Sequence, residues 1–365
     1  MDRRHNHGYE EEMNKDTVIK IGRRAIGGKH PAFIIAELSA NHLHDFRVAV
    51  KTIKAIKKSG ADAVKLQTYT ADTMTIDSHK RYFKIRQGTI WDGKNLYQLY
   101  KEAYTPWQWQ PKLKKIAEEL GLICFSSPFD NTAVDFLERI GIPAYKVASF
   151  EITDIPLIEY IASKHKPVII STGIAKYPEI KSAVAACKKM GNSQIALLKC
   201  TSAYPADAKE ANLKLIPRLK KDFNAVIGIS DHTLGNAVAV ASVALGAKII
   251  EKHFILDRRM GGPDAAFSLE PAEFSIMVKL IREAEDSLGE GDYTLSPRAE
   301  RNRAFARSLF VVQRVRRKEV FTKYNVRSIR PGYGLSPVYI KSVLGKRATR
   351  DIEKGTPLKK SMIQP

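Results

Sequence analysis

The order of elements along this chain predicts a (β/α)8 TIM barrel followed by a small β-rich domain. Three observations predict it. Eight strand-like apolar runs alternate with helical patterns over about 260 residues, the period of a closed parallel barrel. Each run is apolar until its last two or three positions and then turns to charge or hydroxyl. No glycine-rich dinucleotide loop follows the first run, which an open doubly wound sheet would place there.

Residues 1–16 are polar, charged and aperiodic, and read as a flexible extension. Val18–Ile26 alternates weakly around Gly22 and Arg23, which predicts a hairpin within residues 17–30. The barrel is expected over 31–290, with strands at Phe33–Glu37, Ala63–Thr68, Leu122–Ser126, Ala144–Ser149, Val168–Thr172, Ile195–Thr201, Val226–Ser230 and Lys248–Phe254. Between them, Phe46, Ala49, Val50, Ile53 and Ile56 recur at helical spacing, as do Leu113, Ile116 and Leu120, then Val134, Leu137 and Ile140. Further helices fit Pro156–Ser163, Glu179–Met190, Asn212–Asp222, Asn236–Leu245 and Pro271–Leu288. Residues 69–105 form a long, aromatic and basic connection, read as a lid or substrate wall. Residues 291–306 read as a linker. A last domain at 307–365 opens with a strand at Ser308–Val312, passes through a turn at Glu319–Phe321 and a loop at Arg327–Gly334, and closes with Gly345–Ile352. So few short elements call for support from a partner surface.

Composition is that of a globular chain, 44% hydrophobic and 27% charged. Its longest apolar stretch, near Ala237–Ala247, is too short to span a bilayer, so no membrane role is expected. Three cysteines give no disulfide framework or metal-finger spacing, and Cys124 and Cys200 read as buried thiols. With no apolar signal core at Met1–His7, the expected location is cytoplasmic. Net charge is +21, of which residues 291–365 carry +13. That tail lacks nucleic-acid-binding signatures, so a basic surface for small anions or a partner is the better reading.

Active sites of such barrels lie at the C-terminal strand ends. Glu37, Lys65, Gln67, Ser127, Lys146, Ser149, Ser171, Ser202, Ser230, His232 and His253 all fall there. His232 and His253 close successive runs, 21 positions apart, and point at a shared divalent cation with positions open to water and a substrate oxygen. The alternative is a pair of core histidines bonded to backbone. Nitrogen and oxygen ligands suit Mn, Mg, Co or Zn. Lys65 and Lys146 follow apolar residues and need partners if buried. They fit a phosphate or carboxylate cradle completed by Ser127, Ser149, Ser171 and Ser230. Salt bridges across the mouth and a Schiff-base lysine are the other readings. Glu37 is read as a general base or an orienter of metal-bound water, against a role as cap or ion-pair partner. Asp264, in the turn Gly261-Gly262-Pro263-Asp264, is either a substrate contact or a turn stabiliser. His42 and His44 lie in a loop with no role assigned.

The runs Ile35–His42, Gly60–Thr68, Tyr145–Ser149, Ser171–Gly173, Ser230–Leu234 and Glu251–Phe254 together closely resemble the sialic acid synthase superfamily, and the likeness runs from about Val18 to the C-terminus. The tail with Arg330-Pro331-Gly332 resembles that family's C-terminal antifreeze-like (SAF) domain. Within the superfamily, Lys65–Thr75, Cys124–Asp130, Lys199–Pro205 and Ser328–Gly334 look most like the pseudaminic acid synthase branch. N-acetylneuraminate synthases typically carry Asn at the Ser202 position and Thr at the Ser127 position, which favours the deoxy-sugar branch.

The resemblance implies a transferase that condenses phosphoenolpyruvate with the open-chain aldehyde of an N-acetylated amino sugar, 2,4-diacetamido-2,4,6-trideoxy-L-altrose, releasing phosphate. It implies a divalent metal ion (Mn, Mg or Co) on His232 and His253, and a phosphoenolpyruvate site of Lys65, Ser127, Lys146, Ser149, Ser171, Ser202 and Ser230. Gln67, Glu151, Tyr204 and Asp264 would face the sugar, and Glu37 or Glu151 would take the water proton. Arg330 resembles an arginine that reaches into the barrel of a second copy in a domain-swapped homodimer. The alternatives are an N-acetylneuraminate or legionaminate synthase, or a non-catalytic binding protein that uses the basic tail.

Overall fold

The structure, a computed structural model, describes residues 17–365; the extension expected at 1–16 lies outside the described residues. Strand β1 (Val18–Ile21) pairs antiparallel with β2 (Arg24–Gly27) in a hairpin that turns at Gly22, where φ is +55°. Eight parallel strands then close a barrel: β3 (Phe33–Glu37), β4 (Ala63–Thr68), β5 (Ile123–Pro128), β6 (Tyr145–Val147), β7 (Val168–Ser171), β8 (Ile195–Cys200), β9 (Val226–Asp231) and β10 (Ile249–His253). Each pairs with the next, and β10 returns to β3 with His253 opposite Glu37.

Alternation along the strands builds two cores. Phe33, Ile35, Ala63, Phe125, Ala144, Ile169, Ala196, Leu198, Val226 and Ile249 fill the barrel interior together with Ile19, Ile21 and Ile26 of the hairpin, which plugs one end. The residues between them, among them Ile34, Val64, Tyr145, Ile227 and Ile250, pack outward on the helices. Parallel strands covered on both faces read as nearly continuous apolar runs for this reason. The helices turn their periodic apolar faces inward: Phe46–Lys58 buries Ala49, Ile53 and Ile56, is capped by Asp45 accepting from the Arg47 amide, and ends in Lys57 and Lys58. A side-chain acceptor at the start and cations in the last turn both favour a helix there.

Several local readings differ from the structure. The run Ala144–Ser149 stops being strand at Val147, and Ser149–Glu151 form a 3-10 turn over the barrel mouth. Residues 69–105 are not one loop: they hold helices at Ala71–Met74 and Leu96–Ala103. The span 291–306 carries a helix at Pro297–Asn302, with Ser296 as its cap and proline at its first position.

The chain divides into two compact units, one ending at Gly289 and one beginning at Glu290. The second has its own core, with Leu309, Val311, Val315, Phe321, Val326, Ile352 and Leu358 at its centre. Here β11 (Ser308–Val311) pairs antiparallel with β12 (Val326–Ile329), so part of the loop expected at Arg327–Gly334 is strand. Among the described residues no helix is long and apolar enough to cross a membrane.

Candidate active site

The inward row of each strand continues past the apolar layers into polar residues. From β3 to β10 the inward positions above the core are Glu37, Lys65, Gln67, Ser127, Lys146, Ser171, Cys200, Ser230, His232, Glu251 and His253. Thus one periodicity explains both the plugged core and the polar mouth.

The two lysines are fully inside. Lys65 Nζ contacts a Glu37 carboxylate oxygen and lies 3.3 Å from Ser127 Oγ and 3.6 Å from Glu251 Oε1. Lys146 Nζ donates to Ser171 Oγ at 2.7 Å and to the Val147 carbonyl at 3.0 Å, and stands 3.9 Å from Glu251 Oε1. Ser230 Oγ donates to the same Glu251 oxygen at 3.1 Å. Salt bridges across the mouth, one of the readings open from sequence, are therefore present. Glu251 is their hub and was given no role from sequence. Its signal was its position two before His253, on the same face of one strand.

The electrostatics follow from burial. Burial pushes Glu37 up to about 7 against the pull of Lys65. Burial also opposes charge on Glu251, but Lys146 and Lys65 outweigh it and hold that carboxyl below its usual range. Burial works against Lys65 too, yet Glu251 and Glu37 raise it, so it stays an ammonium and not the free amine a Schiff base requires. Burial lowers Lys146. Two cations and three hydroxyls converging in a buried space are suited to an anion with several oxygens.

Beside them, Ser202 Oγ donates to Ser149 Oγ at 2.7 Å, and Ser149 Oγ accepts from the Ile174 amide at 3.1 Å. A Cβ on Gly173 would lie 2.1 Å from Ser202 Oγ and 2.6 Å from Ser149 Oγ. Glycine is required there because the backbone passes this close to both hydroxyls.

His232 and His253 face one another with ring centroids 5.3 Å apart. The Thr201 carbonyl lies 3.0 Å from His232 Nδ1, which assigns a proton to Nδ1; Nε2 has a lone pair to donate when the ring is neutral. His253 Nδ1 is buried without a hydrogen-bond partner, as is Glu37 Oε1. Burial, with His232 and the lysines nearby, lowers His253 well below its usual value and keeps it neutral, the form that ligates metals. Among the described residues no group of three or more His, Cys, Asp or Glu is arranged as a ligand set. A divalent ion would thus be held by two nitrogens, with its other positions left to water and substrate, and the residues present fit that open site.

Asp264 turns into the same space, accepting from Ser39 Oγ and from the Ala40 amide at 3.4 Å, 3.8 Å from His253 Nδ1. Tyr204 stacks near His232 at 4.4 Å, and Phe267 lies 5.2 Å from Tyr204 and 4.8 Å from His253. Trp91, from the long connection, completes this aromatic wall: its ring is 5.4 Å from Tyr204 and its Nε1 donates to the Pro263 carbonyl at 2.9 Å. Gln67 is half-buried opposite Ser127. His42 is not part of the group; it is buried against Thr105 at 3.1 Å and Trp109, and burial lowers it to about 4. Arg330 belongs to the second unit and is exposed on it.

Glu151 is half-buried with Oε2 unpartnered, and burial raises it to about 7. A raised carboxyl is protonated below that value and ionised above it. If Glu151 is the base, kcat/KM falls by about tenfold per pH unit below pH 7. The Glu151→Gln variant should lose most activity and flatten that limb, measured from pH 5.5 to 8.5; an unchanged limb would remove Glu151 from the role.

A closed parallel barrel with buried lysines, hydroxyls and a histidine pair at its strand ends defines a (β/α)8 protein whose mouth is chemically suited to small anionic, oxygen-rich molecules. The chain belongs to the NeuB family, which it matches over residues 52–293, and residues 306–364 match the SAF domain. It is 46% identical to the pseudaminic acid synthase of Campylobacter jejuni over 90% of this chain and 96% of that one. The corresponding figures for the pseudaminic acid synthase of Helicobacter pylori are 44%, 92% and 98%. Among solved structures it is similar to an N-acetylneuraminic acid synthetase from Leptospira borgpetersenii in complex with citrate, at 32% identity and a TM-score of 0.71, covering 79% of this chain and 95% of that one.

Proposed function

We propose that this chain is a pseudaminic acid synthase, joining phosphoenolpyruvate to 2,4-diacetamido-2,4,6-trideoxy-L-altrose with uptake of water and release of phosphate. The observation that carries the reading is the buried Lys65–Glu251–Lys146 group beside two facing histidines, in a chain 46% identical to a named pseudaminic acid synthase.

The residues divide the work. Lys65 and Lys146, with Ser127, Ser149, Ser171, Ser202 and Ser230, bind the phosphate and carboxylate of phosphoenolpyruvate, displacing the contacts the lysines make with Glu37 and Glu251. His232 and His253 would hold a divalent metal, which when bound would supply Lewis acidity for the sugar's aldehyde oxygen. Gln67, Asp264 and Tyr204 orient the open-chain sugar. The methylene carbon of phosphoenolpyruvate bonds to the aldehyde carbon, its double-bond electrons forming the new bond while the carbonyl π pair moves onto the aldehyde oxygen, which takes a proton and becomes a hydroxyl. Water adds to the cationic enol carbon as Glu37 or Glu151 takes its proton. The resulting tetrahedral carbon expels phosphate by carbon–oxygen cleavage, leaving a keto acid. The lysines stabilise the charge that develops on the departing phosphate. Arg330 of a second copy would close the sugar end, in a cytoplasmic homodimer.

Phosphate release is the deciding assay. It should be fastest with the trideoxy diacetamido altrose, at least about tenfold slower with the legionaminate precursor and with N-acetylmannosamine, and lost after dialysis against chelator. A reversed sugar order would move the chain to another branch; full activity without metal would sink the metal reading.

A further inference from the structure

The strands that carry the two histidines are tied together on the opposite face from the site. Alternation turns His232, Ser230, Glu251 and His253 into the barrel, and turns Asp231, Thr233 and Lys252 toward the helices. Lys252 is opposite Asp231 in the β9–β10 register. Its Nζ lies 2.6 Å from Asp231 Oδ2 and 2.6 Å from the Thr233 carbonyl. Asp231 Oδ1 in turn accepts from the Thr233 amide at 2.9 Å and from Thr233 Oγ1 at 2.8 Å. The Lys252 and Asp231 side chains are 0% and 1% exposed, so both ions are buried.

Such a pair is a poor device for stability alone, because desolvating both ions consumes most of their attraction. It is a good device for fixing geometry. Asp231 and Thr233 flank His232, and Lys252 immediately precedes His253. β9 ends at Asp231, so past that point no strand pairing holds the His232 backbone against β10. The ion pair bridges the two chains at just that level, and the bond from Lys252 to the Thr233 carbonyl reaches beyond it.

We propose that Asp231 and Lys252 are positioning residues that set the spacing of His232 and His253, and through it the affinity of the pair for a divalent cation and for the sugar. The inference rests on the metal reading above. A loosened histidine pair binds an ion roughly tenfold or more weakly, the usual cost of losing a supporting contact behind a metal ligand.

The test compares wild type with the double variant Asp231→Asn/Lys252→Met, which keeps an oxygen for Thr233 and removes both charges at near-constant volume. Mn2+ affinity is measured on the ligand-free protein by electron paramagnetic resonance, and thermal unfolding is followed in parallel without metal. The expected result is a folded double variant with Mn2+ binding weakened at least about tenfold, sugar KM raised, and phosphoenolpyruvate KM within about twofold of wild type. Mn2+ affinity within about twofold of wild type overturns the proposal, and so does an equal rise in both KM values. A double variant that does not fold also overturns it, since the pair would then be a requirement of the fold. Wild type that binds no Mn2+ would instead refute the metal reading itself. The single Lys252→Met variant should be the less stable protein, because it leaves Asp231 buried and unpaired.

Discussion

Replacing Lys65 with methionine should lower kcat/KM for phosphoenolpyruvate by roughly a thousandfold, the scale on which a preorganised charge contact at a reacting group acts. The same change should destabilise the fold by about 3–5 kcal/mol, because it removes the cation between two buried carboxylates. Glu37 and Glu251 would then face each other with only Lys146 nearby, and Glu37 would stay protonated further up the pH scale. The sign for Glu37 is set by its raised value. A carboxyl that ionises later in the folded chain than in the unfolded one costs stability as pH rises through about 7, and more so without Lys65. Adding Glu37→Gln should restore much of the stability and none of the activity. Steady-state kinetics with thermal unfolding at pH 6 and pH 8 separate the two effects. Activity within tenfold of wild type would place Lys65 outside the anion site.

Arg330→Ala should raise sugar KM and lower kcat/KM for the sugar by about a hundredfold, with little change in phosphoenolpyruvate KM. If the arginine serves the barrel of a second copy, mixing the nearly inactive Arg330→Ala and Lys65→Met proteins should recover activity. In a randomly exchanged C2 dimer about half the molecules are mixed and each has one intact site, so recovery should reach about a quarter of wild type. No recovery after verified subunit exchange would show that each barrel uses its own Arg330, or none.

Much of the site was legible because a strand has period two. Once Phe33, Ile35 and Ala63 are core, Glu37 and Lys65 must share their face, and the same count brings in Lys146, Ser171, Ser230, His232 and His253. Glu251 follows from the same count, sharing the inward face with His253 two positions on. The partners of a buried charge are harder to read. That Lys252 pairs with Asp231 on the helix side while Lys65 pairs with Glu37 on the inner side depends on the register between neighbouring strands, which the periodicity within one strand does not reveal. The aromatic wall was hidden for a related reason: Trp91 and Pro263 meet 172 positions apart, through a connection with no period of its own. The four residues of β12 are too few to show a period; its strand character comes from pairing with β11. The helix at Pro297–Asn302 did announce itself, through Ser296, Pro297 and Glu300, but has no apolar face to complete the pattern.

The hairpin at Val18–Gly27 has a further consequence. With Ile19, Ile21 and Ile26 packed into the base of the strands, the barrel is a cup and not a tube. Whatever enters at the strand ends must return the same way. On the proposed reading, phosphate set free at Lys65 and Lys146 would have no rear door and would leave by the doorway the sugar came in by, past Tyr204 and Trp91. Passage through that one threshold would then be part of every turnover, alongside the chemistry proposed at the lysines.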